Sequence, residues 1–470
     1  MLVCAGLYAV PIADSDFWWH IAAGRDILQR GGLPDTDPFG VYALADPIRS
    51  DTVLKGQWLG QVVLYGLFAS GGADAVVAFR VAVLLVCLVL IYARARLLDA
   101  AGPLPLWAVL GVVAIAASGF AGERPQLLSF LFAAGFFFCV DLAWQRREGR
   151  WLWALPPLTA LWANSHGGVI LAVALLGLWS LVAWADRSRS TAERRRWPLA
   201  AAAVFVASLL TPNGLQTYRY LFQLEGSVLQ QRTSEYVSAL RLFELGFVWP
   251  QVWVVVYFLL AALGLYGLIR LRCWPQAALV GFLALISLSS YRYFAFFLFI
   301  AAPYVMWGIG RLLPARLATL DTPLRLAVAG VLSAVLVAGI VRGSLFQGDV
   351  QAAAFPVAMA DFLQRQGAQG PAFNNLEWGG YLVWRLAPRV QPYIDGRMLD
   401  LARFPPYTHM LWATPQGRRL FAASGFRLAI LPWHGRFDPQ RYGLIDYLDA
   451  RRDWRLVYRD AQGVVFARRP

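Results

Sequence analysis

The chain has 470 residues, of which 59% are hydrophobic and 15% are charged. This composition excludes an ordinary soluble domain, in which about 25% of the residues are charged. The formal net charge of +14 raises the possibility of a nucleic-acid partner. We expect no such partner, because the arginines are distributed in a way that membrane topology explains.

Apolar stretches recur through the first 341 residues, and many approach the roughly 20 residues that cross a bilayer about 30 Å thick. Residues 1–13 are too short to span alone and carry no basic leader, so we expect the natural chain to begin further upstream. Together with 1–13, the predicted spans number eleven. The other ten are 75–93, 104–121, 125–144, 151–165, 168–185, 197–211, 249–269, 275–290, 293–310 and 325–341.

Arginines concentrate in every second loop between these spans. Fifteen lie in one set of loops, beginning at Arg94, and five lie in the other set. The positive-inside rule assigns the arginine-rich side to the cytoplasm, so Asp14, Asp16 and the tail after about residue 342 face outward. The sequence therefore predicts a multi-pass protein of the cytoplasmic (inner) membrane, with an extracytoplasmic, periplasmic active site.

Two domains are predicted. Residues 1–345 form a transmembrane domain whose first external loop, 14–74, contains two amphipathic helices on the membrane plane. Residues 346–470 form a small extracytoplasmic α/β domain, because helix-like and strand-like patterns alternate there. The predicted pieces are helices at 18–30 and 56–70 in the loop, helices at 351–367, 378–387, 413–425 and 439–452 in the tail, strands at 371–376, 390–395 and 427–432, and a closing hairpin around 460–463.

The segment DSDFWWHIAAG, from Asp14 to Gly24, places two carboxylates at the point where the chain leaves the first apolar stretch. Acidic residues are costly inside hydrocarbon but useful at its edge, where a lipid-linked substrate presents its head group. In a helix that starts near Asp16, residues Asp16, His20 and Gly24 share one face. Asp16 and Asp14 are candidates for a general base, a metal ligand or a sugar-binding pair; the alternative is that Asp14 or Ser15 only caps the helix.

Polar residues also recur in turns on the same predicted side of the membrane. Arg124 and Arg292 suit a phosphate, since a guanidinium offers a planar fork to its oxygens. The alternatives are that Glu123 and Arg124 neutralise each other and that His166 is a hydrogen-bonded loop histidine. The turn residues are Glu123, Arg124, Asn164, Ser165, His166, Gly167, Tyr291, Arg292 and Tyr293.

Several segments resemble bacterial members of the GT-C superfamily, which are integral membrane glycosyltransferases that use polyprenyl-phosphate-linked sugars. The resembling segments are DSDFWWHIAAGRDI, DTDPFG, QWLGQVVLYGLF, ERPQLLSFLF, LWANSHGG, LLTPNGLQTY and YRYFAFFLFIAAPY, with FNNLEWGGYLVWRL and PYIDGRMLDL in the tail. The resemblance implies that an acidic residue of the first loop acts as base, carried here onto Asp16 with Asp14 as the alternative. A glutamate often found before the TrpLeu pair of the second amphipathic helix is replaced by Gln57, before Trp58, and this departure weakens a metal prediction.

In the tail, Trp378, Gly379, Gly380 and Tyr381 resemble the aromatic-rich signature in the soluble domain of oligosaccharyltransferases, where it helps to bind the acceptor peptide. Asp395 and Arg397 are further candidates for acceptor recognition. The alternative for these two residues is a structural ion pair near a strand end. Asn374, Asn375 and Glu377 are the other polar candidates in this region.

The sequence therefore predicts an inverting GT-C-like glycosyltransferase that moves a sugar from a polyprenyl-phosphate donor to an envelope acceptor, which is a glycan, lipid or protein. The alternatives are oligosaccharyltransferase-like transfer to protein, a transporter or flippase, and a non-enzymatic protein of envelope polysaccharide assembly. A divalent cation, Mg²⁺ or Mn²⁺, is the candidate cofactor, with Asp14, Asp16, Glu123 and His166 as its candidate ligands. The predicted cavity is lined by His20, Gln57, Trp58, Glu123, Asn164, His166 and Tyr291.

Overall fold

A computed structural model of the chain describes residues 1–40, 46–99, 103–224, 238, 249–314, 321–341, 350–435 and 440–469. The chain divides into two compact units. We call residues 1–11 and 71–349 the helical unit, and residues 12–70 and 350–470 the mixed unit. The helix Trp58–Leu97 belongs partly to each, and its geometry breaks at Gly71 and Gly72, where the units divide.

The helical unit is built mainly from apolar helices, most of which overlap the predicted spans. Residues 71–97 continue from the break at Gly72, whose φ of 62° is accessible to glycine at little cost. The other helices are Leu2–Tyr8, Pro103–Ala117, Gln126–Gln145, Leu155–Ser165, Val169–Ala185, Thr191–Ser208, Gln216–Leu224, Trp249–Arg270, Trp274–Ser289, Phe294–Phe296, Ala302–Leu312 and Asp321–Val341. A π-helical turn, Phe297–Ala301, precedes Ala302–Leu312.

In the described part of the chain, five helical segments are long and apolar enough to cross a membrane. They are Pro47–Leu97, Gln126–Gln145, Val252–Arg270, Tyr291–Leu312 and Thr322–Gly339. Shorter apolar helices occur at Pro105–Phe120, Val169–Ala185 and Trp274–Ser289. By length and composition this is a multi-pass helical membrane protein; the number of eleven spans stays a prediction.

Glycines bring two of the membrane helices into backbone contact. A Cβ atom on Gly308 would lie 1.9 Å from the carbonyl oxygen of Gly264, and one on Gly267 would lie 2.1 Å from that of Gly308. Small residues of this kind let helices in lipid approach closely. The helix that follows the Arg292 turn is thereby fixed against Trp249–Arg270.

The mixed unit contains a five-stranded sheet of order β2-β1-β3-β5-β4. Its strands are β1 (Gly370–Asn374), β2 (Val390–Pro392), β3 (Leu428–Pro432), β4 (Trp454–Arg459) and β5 (Gly463–Arg468). Strand β1 runs parallel to β2 and β3, whereas β5 is antiparallel to β3 and forms a hairpin with β4. The predicted α/β tail and its closing hairpin are confirmed.

Helices cover this sheet, and most of them were predicted. The mixed-unit helices are Phe17–Arg30, Pro47–Lys55, residues 58–70, Val357–Arg365, Leu376–Leu386, Phe404–Leu411, Pro415–Ala423 and Gly443–Asp449. Sequence patterns missed Pro47–Lys55 and Phe404–Leu411, which are short and begin with proline in the first turn. The core beneath them contains Phe373, Phe421, Phe426, Trp454 and Phe466.

The first external loop is grouped differently from the prediction. We placed 14–74 with the transmembrane domain, but residues 12–70 form one compact unit with the tail. Aromatic packing accounts for this arrangement, since Trp18 of the loop meets Phe355 and Tyr381 of the tail at ring-centroid distances of 5.4 and 4.9 Å. The carboxylates at the start of Phe17–Arg30 are thereby positioned by residues of the tail.

Candidate functional site

The two aspartates before helix Phe17–Arg30 have different environments. The Asp14 carboxylate accepts a hydrogen bond from the backbone N–H of Asp16 at 2.9 Å, a local turn that this residue type favours. Asp16 is the N-cap residue, but its side chain makes no capping hydrogen bond. The alternative of a purely local role therefore fits Asp14 better than Asp16.

The carboxylate of Asp16 lies against the backbone of Gly396, which follows strand β2. A Cβ atom on Gly396 would lie 1.8 Å from Asp16 Oδ1 and 3.3 Å from Trp19 Nε1. Nearby, a Cβ atom on Gly380 would lie 2.6 Å from the carbonyl oxygen of Ser15. The start of the loop helix is thus enclosed by two glycine-containing segments of the tail, and neither contact follows from sequence periodicity.

A buried arginine holds the segment Asp395–Arg397 in place. The Arg397 guanidinium donates to Asp395 at 2.7 and 2.9 Å and to Asp37 of the first loop at 2.5 and 3.2 Å. Burial would lower the pKa of Arg397, but the Asp37 and Asp395 carboxylates raise it above its usual value. Arg49 adds bonds to the carbonyl oxygens of Met398 and Arg397 at 2.6 and 3.1 Å. The predicted alternative of an Asp395–Arg397 ion pair is confirmed, and Asp37 is a partner that the sequence did not identify.

The segment Trp378 to Tyr381 packs the unit together. A Cβ atom on Gly379 would lie 2.2 Å from the carbonyl oxygen of Ile394, so only glycine fits between helix and sheet. Trp378 and Tyr381 are buried, and the Tyr381 hydroxyl accepts a hydrogen bond from Arg385 at 2.8 Å. Acceptor recognition by Trp378, Tyr381, Asp395 and Arg397 stays a prediction.

His20, Gln57 and Trp58 lie on the two loop helices. His20 is buried, and its ring lies 3.5 Å from that of Trp19 between centroids. One turn further along, a Cβ atom on Gly24 would lie 2.2 Å from the carbonyl oxygen of Gln61, so the two helices touch there. The backbone carbonyl of Gln57 accepts a hydrogen bond from the backbone N–H of Gln61. Trp58 is the first residue of the helix Trp58–Leu97.

In the helical unit, the turns that contain Arg124, His166 and Arg292 come together. The Arg292 Nη2 atom lies 3.3 Å from His166 Nε2. Burial, with the charges of Arg292 and Arg124 acting in the same direction, lowers the pKa of His166 to about 3. The ring is therefore neutral at physiological pH, and two cationic groups lie beside it. A pair of guanidinium groups at a helix end is suited to a phosphate.

Two residues that the sequence did not identify support His166. Ser129 Oγ lies 2.8 Å from His166 Nδ1, and Trp162 Nε1 donates to the same Oγ at 2.7 Å. The Asn164 amide instead donates to the carbonyl oxygens of Ala160 and Leu210 at 2.8 and 2.7 Å. The Tyr291 ring packs on Phe120 and Phe294. A serine within an apolar helix, facing a turn histidine, is the one signal that could have pointed to Ser129.

Glu123 is paired with a different arginine from the one we expected. It forms a buried ion pair with Arg80, which also donates to the carbonyl oxygens of Tyr8 and Ala121. Glu123 is therefore neutralised by Arg80, and the alternative that named Arg124 as its partner is wrong. Arg80 lies within a predicted span, and a carboxylate partner lowers the high cost of its charge there.

The described residues contain no group of three or more histidine, cysteine, aspartate or glutamate side chains that would hold a metal ion. The positive charges of Arg292 and Arg124 act on His166, and positive charge there disfavours a cation. Glu123 is already paired with Arg80. Asp14 and Asp16 lie two residues apart at the start of helix Phe17–Arg30, and they stay candidates for a divalent cation.

Neither a family model nor a curated protein matches the sequence. Solved structures of the Archaeoglobus fulgidus oligosaccharyltransferase do share the fold. The form tethered to an acceptor peptide containing the NVT sequon has a TM-score of 0.57 and 10% identity, and the match covers 90% of this chain and 65% of that one. The complex with Zn and sulfate has a TM-score of 0.55 and 11% identity, and the match covers 90% of this chain and 64% of that one. AglB with an inhibitory peptide and a dolichol-phosphate has a TM-score of 0.56 and 9% identity, and the match covers 90% of this chain and 66% of that one.

At this level of identity the similarity is one of fold. The chain spans about 65% of the length of the solved protein that it resembles. The architecture expected from the sequence, apolar helices with a small sheet-containing tail, is the one observed here, and 90% of the chain is covered by the match to the oligosaccharyltransferase structure.

Proposed function

We propose that this protein is a membrane glycosyltransferase that transfers a sugar from a polyprenyl-phosphate-linked donor to an acceptor hydroxyl on the outer face of the cytoplasmic membrane. The observation that carries this proposal is the placement of Arg124 and Arg292 beside the neutral His166. Positive charge at the end of apolar helices is what a lipid phosphate requires when its chain remains in the bilayer.

Asp16 is the proposed base. Its carboxylate takes the proton of the acceptor hydroxyl, whose oxygen attacks the anomeric carbon of the sugar. The bond between that carbon and the phosphate oxygen breaks, and the electron pair leaves with the polyprenyl phosphate. Attack opposite the leaving group inverts the anomeric centre. Arg124 and Arg292 stabilise the charge that develops on the phosphate, a contribution worth about 2.7–4 kcal/mol for one well-placed hydrogen-bond donor.

Asp14 and Asp16 are the residues that would hold a divalent cation, Mg²⁺ or Mn²⁺, in an enzyme that uses one. The cation would supply further positive charge to the phosphate. The proton transfer to Asp16 and the charge stabilisation by the two arginines do not depend on it.

The acceptor is a glycan, a lipid or a protein of the envelope. Transfer to protein is the second candidate, because the shared fold is that of an oligosaccharyltransferase whose solved forms include peptide complexes. A transporter or flippase, and a non-enzymatic assembly protein, are the candidates from other classes. They differ from the proposal in one measurable respect, since neither breaks the bond between sugar and phosphate.

The test uses the full-length protein in lipid nanodiscs, with a panel of radiolabelled polyprenyl-phosphate sugars and envelope extracts as acceptors. Asp16→Asn should lower the transfer rate by about 10²- to 10⁴-fold, the usual contribution of a general base. The matched control is Asp26→Asn, because Asp26 lies on the same helix and pairs with Arg30. Asp26→Asn should transfer at the wild-type rate.

Wild-type turnover by folded Asp16→Asn protein would remove the base assignment. Passage of intact donor across the bilayer, without cleavage, would favour a flippase. Labelled protein, instead of labelled glycan or lipid, would select the second candidate.

A further inference from the structure

Eight arginines gather where three helices of the helical unit meet their loops. They follow helix Gln126–Gln145 and occupy the connection from Val169–Ala185 into the first turns of Thr191–Ser208. The stretches that contain them, 146–150 and 186–196, hold three acidic residues, which leaves an excess of five positive charges. We call these residues the arginine cluster: Arg146, Arg147, Arg150, Arg187, Arg189, Arg194, Arg195 and Arg196.

Side-chain contacts bring the two stretches onto one surface. The Arg147 guanidinium donates to the carbonyl oxygen of Ser188 at 3.4 Å, across 41 positions of sequence. Arg196 packs beside Gly149, because a Cβ atom on that glycine would lie 2.8 Å from Cδ of Arg196. The arginine cluster is therefore a property of the fold and not only of the order of residues in each loop.

Buried aromatic side chains support this surface. Trp197 is 2% exposed, and its ring meets that of Trp144 at a centroid distance of 5.4 Å. The Arg189 guanidinium lies 3.8 Å from the centroid of the Trp144 ring and donates to the Trp144 carbonyl oxygen at 3.2 Å. Because Trp197 faces the core, the adjacent Arg195 and Arg196 are exposed. The cluster thus presents its charge on a packed support.

The three carboxylates of these stretches are each engaged locally. Glu148 pairs with Arg150 at 2.7 Å, and Asp186 pairs with Arg189 at 3.0 Å. Glu193 accepts a hydrogen bond from the backbone N–H of the helix N-cap residue at 2.8 Å, as part of a capping box. Three carboxylates cannot balance eight guanidinium groups, so the surface keeps a net positive charge that suits an anionic partner.

Exposed tryptophans border the arginine cluster. Trp184 is 54% exposed and lies three residues before Arg187, and Trp153 is 51% exposed and lies three residues after Arg150. Tryptophan is enriched at membrane–water interfaces, where its ring sits at the level of the head groups. Basic side chains at that level attract the phosphates of anionic lipids. Positive charge with an exposed aromatic border therefore favours a lipid over a soluble polyanion.

We propose that the arginine cluster binds the phosphodiester head group of an anionic glycerophospholipid, with Trp153 and Trp184 beside its acyl chains. A guanidinium fits such a head group because its planar fork matches the phosphate oxygens. The site follows the last residue of helix Gln126–Gln145, whereas Arg124 precedes the first, and a helix of 20 residues is about 30 Å long. The lipid site is thus separate from the candidate site for the donor phosphate, and it does not depend on glycosyl transfer.

The test measures lipid binding to the full-length protein in neutral detergent by native mass spectrometry. Dioleoylphosphatidylglycerol is the probe, and dioleoylphosphatidylcholine is the zwitterionic control. Glycerophosphoglycerol supplies the same head group without acyl chains. The wild-type protein should bind phosphatidylglycerol more tightly than either control by about tenfold or more, since both the charge and the acyl chains contribute.

The double variant Arg195→Gln/Arg196→Gln should weaken phosphatidylglycerol binding by about 30-fold, at roughly fivefold for each arginine near an anionic surface. Glutamine keeps the side chain as far as Cδ, which is the atom of Arg196 nearest Gly149. The matched control is Arg270→Gln/Arg272→Gln, which removes two exposed arginines from another loop of the helical unit. The control should bind within about threefold of wild type, because distant exposed charges are screened. Thermal melting of each variant reports on folding.

Four results would overturn the inference. Equal weakening in the two double variants would show that only net charge matters. Wild-type binding by folded Arg195→Gln/Arg196→Gln would place the lipid elsewhere. Equal affinity for the two phospholipids would remove the anionic head group from the proposal. Binding of glycerophosphoglycerol as tightly as phosphatidylglycerol would identify a site for a soluble phosphodiester instead of a lipid.

Discussion

Substitution of Gly396 by alanine tests the placement of the proposed base without touching the base itself. The added Cβ would lie 1.8 Å from Asp16 Oδ1, and contacts shorter than 3.0 Å are essentially never adopted by real Cβ atoms. The carboxylate must therefore move by about 1.2 Å. The φ angle of Gly396 is not positive, so alanine can adopt the same backbone conformation. The chain can relieve the contact by rotating the Asp16 side chain, which preserves the fold and displaces the carboxylate.

A misplacement of about 1 Å can cost on the order of 100-fold in rate, which corresponds to about 2.7 kcal/mol of activation free energy. We expect Gly396→Ala to lower kcat by this factor with little change in the KM for the sugar donor. The assay is single-turnover transfer by protein in nanodiscs. Gly32→Ala in the same unit is the control, since a Cβ there meets nothing within 4 Å. Wild-type kcat in folded Gly396→Ala protein would refute the assignment of Asp16.

Three further predictions concern stability and pH, each checked by thermal melting of the full chain in detergent. Asp37→Asn should destabilise the mixed unit by less than the roughly 3–5 kcal/mol that an unpaired buried charge costs, because Asp395 still neutralises Arg397. A loss of stability equal to that of the double variant Asp37→Asn/Asp395→Asn would contradict this prediction. Gly379→Ala should lower Tm more than Gly396→Ala, since its Cβ meets the backbone of Ile394 instead of a movable side chain; equal Tm values would contradict it. His166 has a lowered pKa in the folded state, so its contribution to stability is present above about pH 6.5 and is lost as the pH falls towards 3. Between pH 7 and pH 4.5 the Tm of His166→Gln should therefore fall by less than the Tm of the wild type. Equal decreases in Tm would contradict this prediction.

Much of the fold follows from the sequence, because hydrophobic periodicity depends on local pattern. The span predicted at 125–144 is the helix Gln126–Gln145, and the strand predicted at 427–432 is Leu428–Pro432. Short helices that begin with proline, such as Pro47–Lys55, lack enough turns to show a period. The grouping of residues 12–70 with the tail was also missed, since it depends on contacts between residues over 300 positions apart, such as Arg49 with Met398.

Candidate site residues were predictable where charge in an apolar chain has few explanations. Arg124, His166 and Arg292 were identified in separate turns, and the structure brings them together. Glu123 shows the limit of such reasoning, because its partner Arg80 is 43 residues away within an apolar helix. Gly396 and Ser129 carry no charge and have no period to reveal them, so only their contacts with Asp16 and His166 indicate their importance.

The most direct measurement of the central claim is the stoichiometry of bond cleavage. Purified protein is given a polyprenyl-phosphate sugar with separate labels in the sugar and the lipid, together with envelope acceptor. We predict one polyprenyl phosphate released for each sugar that appears on the acceptor, and both products formed about 10²- to 10⁴-fold more slowly with Asp16→Asn. Release of polyprenyl phosphate with free sugar alone, or recovery of all donor intact on the opposite side of the bilayer, would contradict the account.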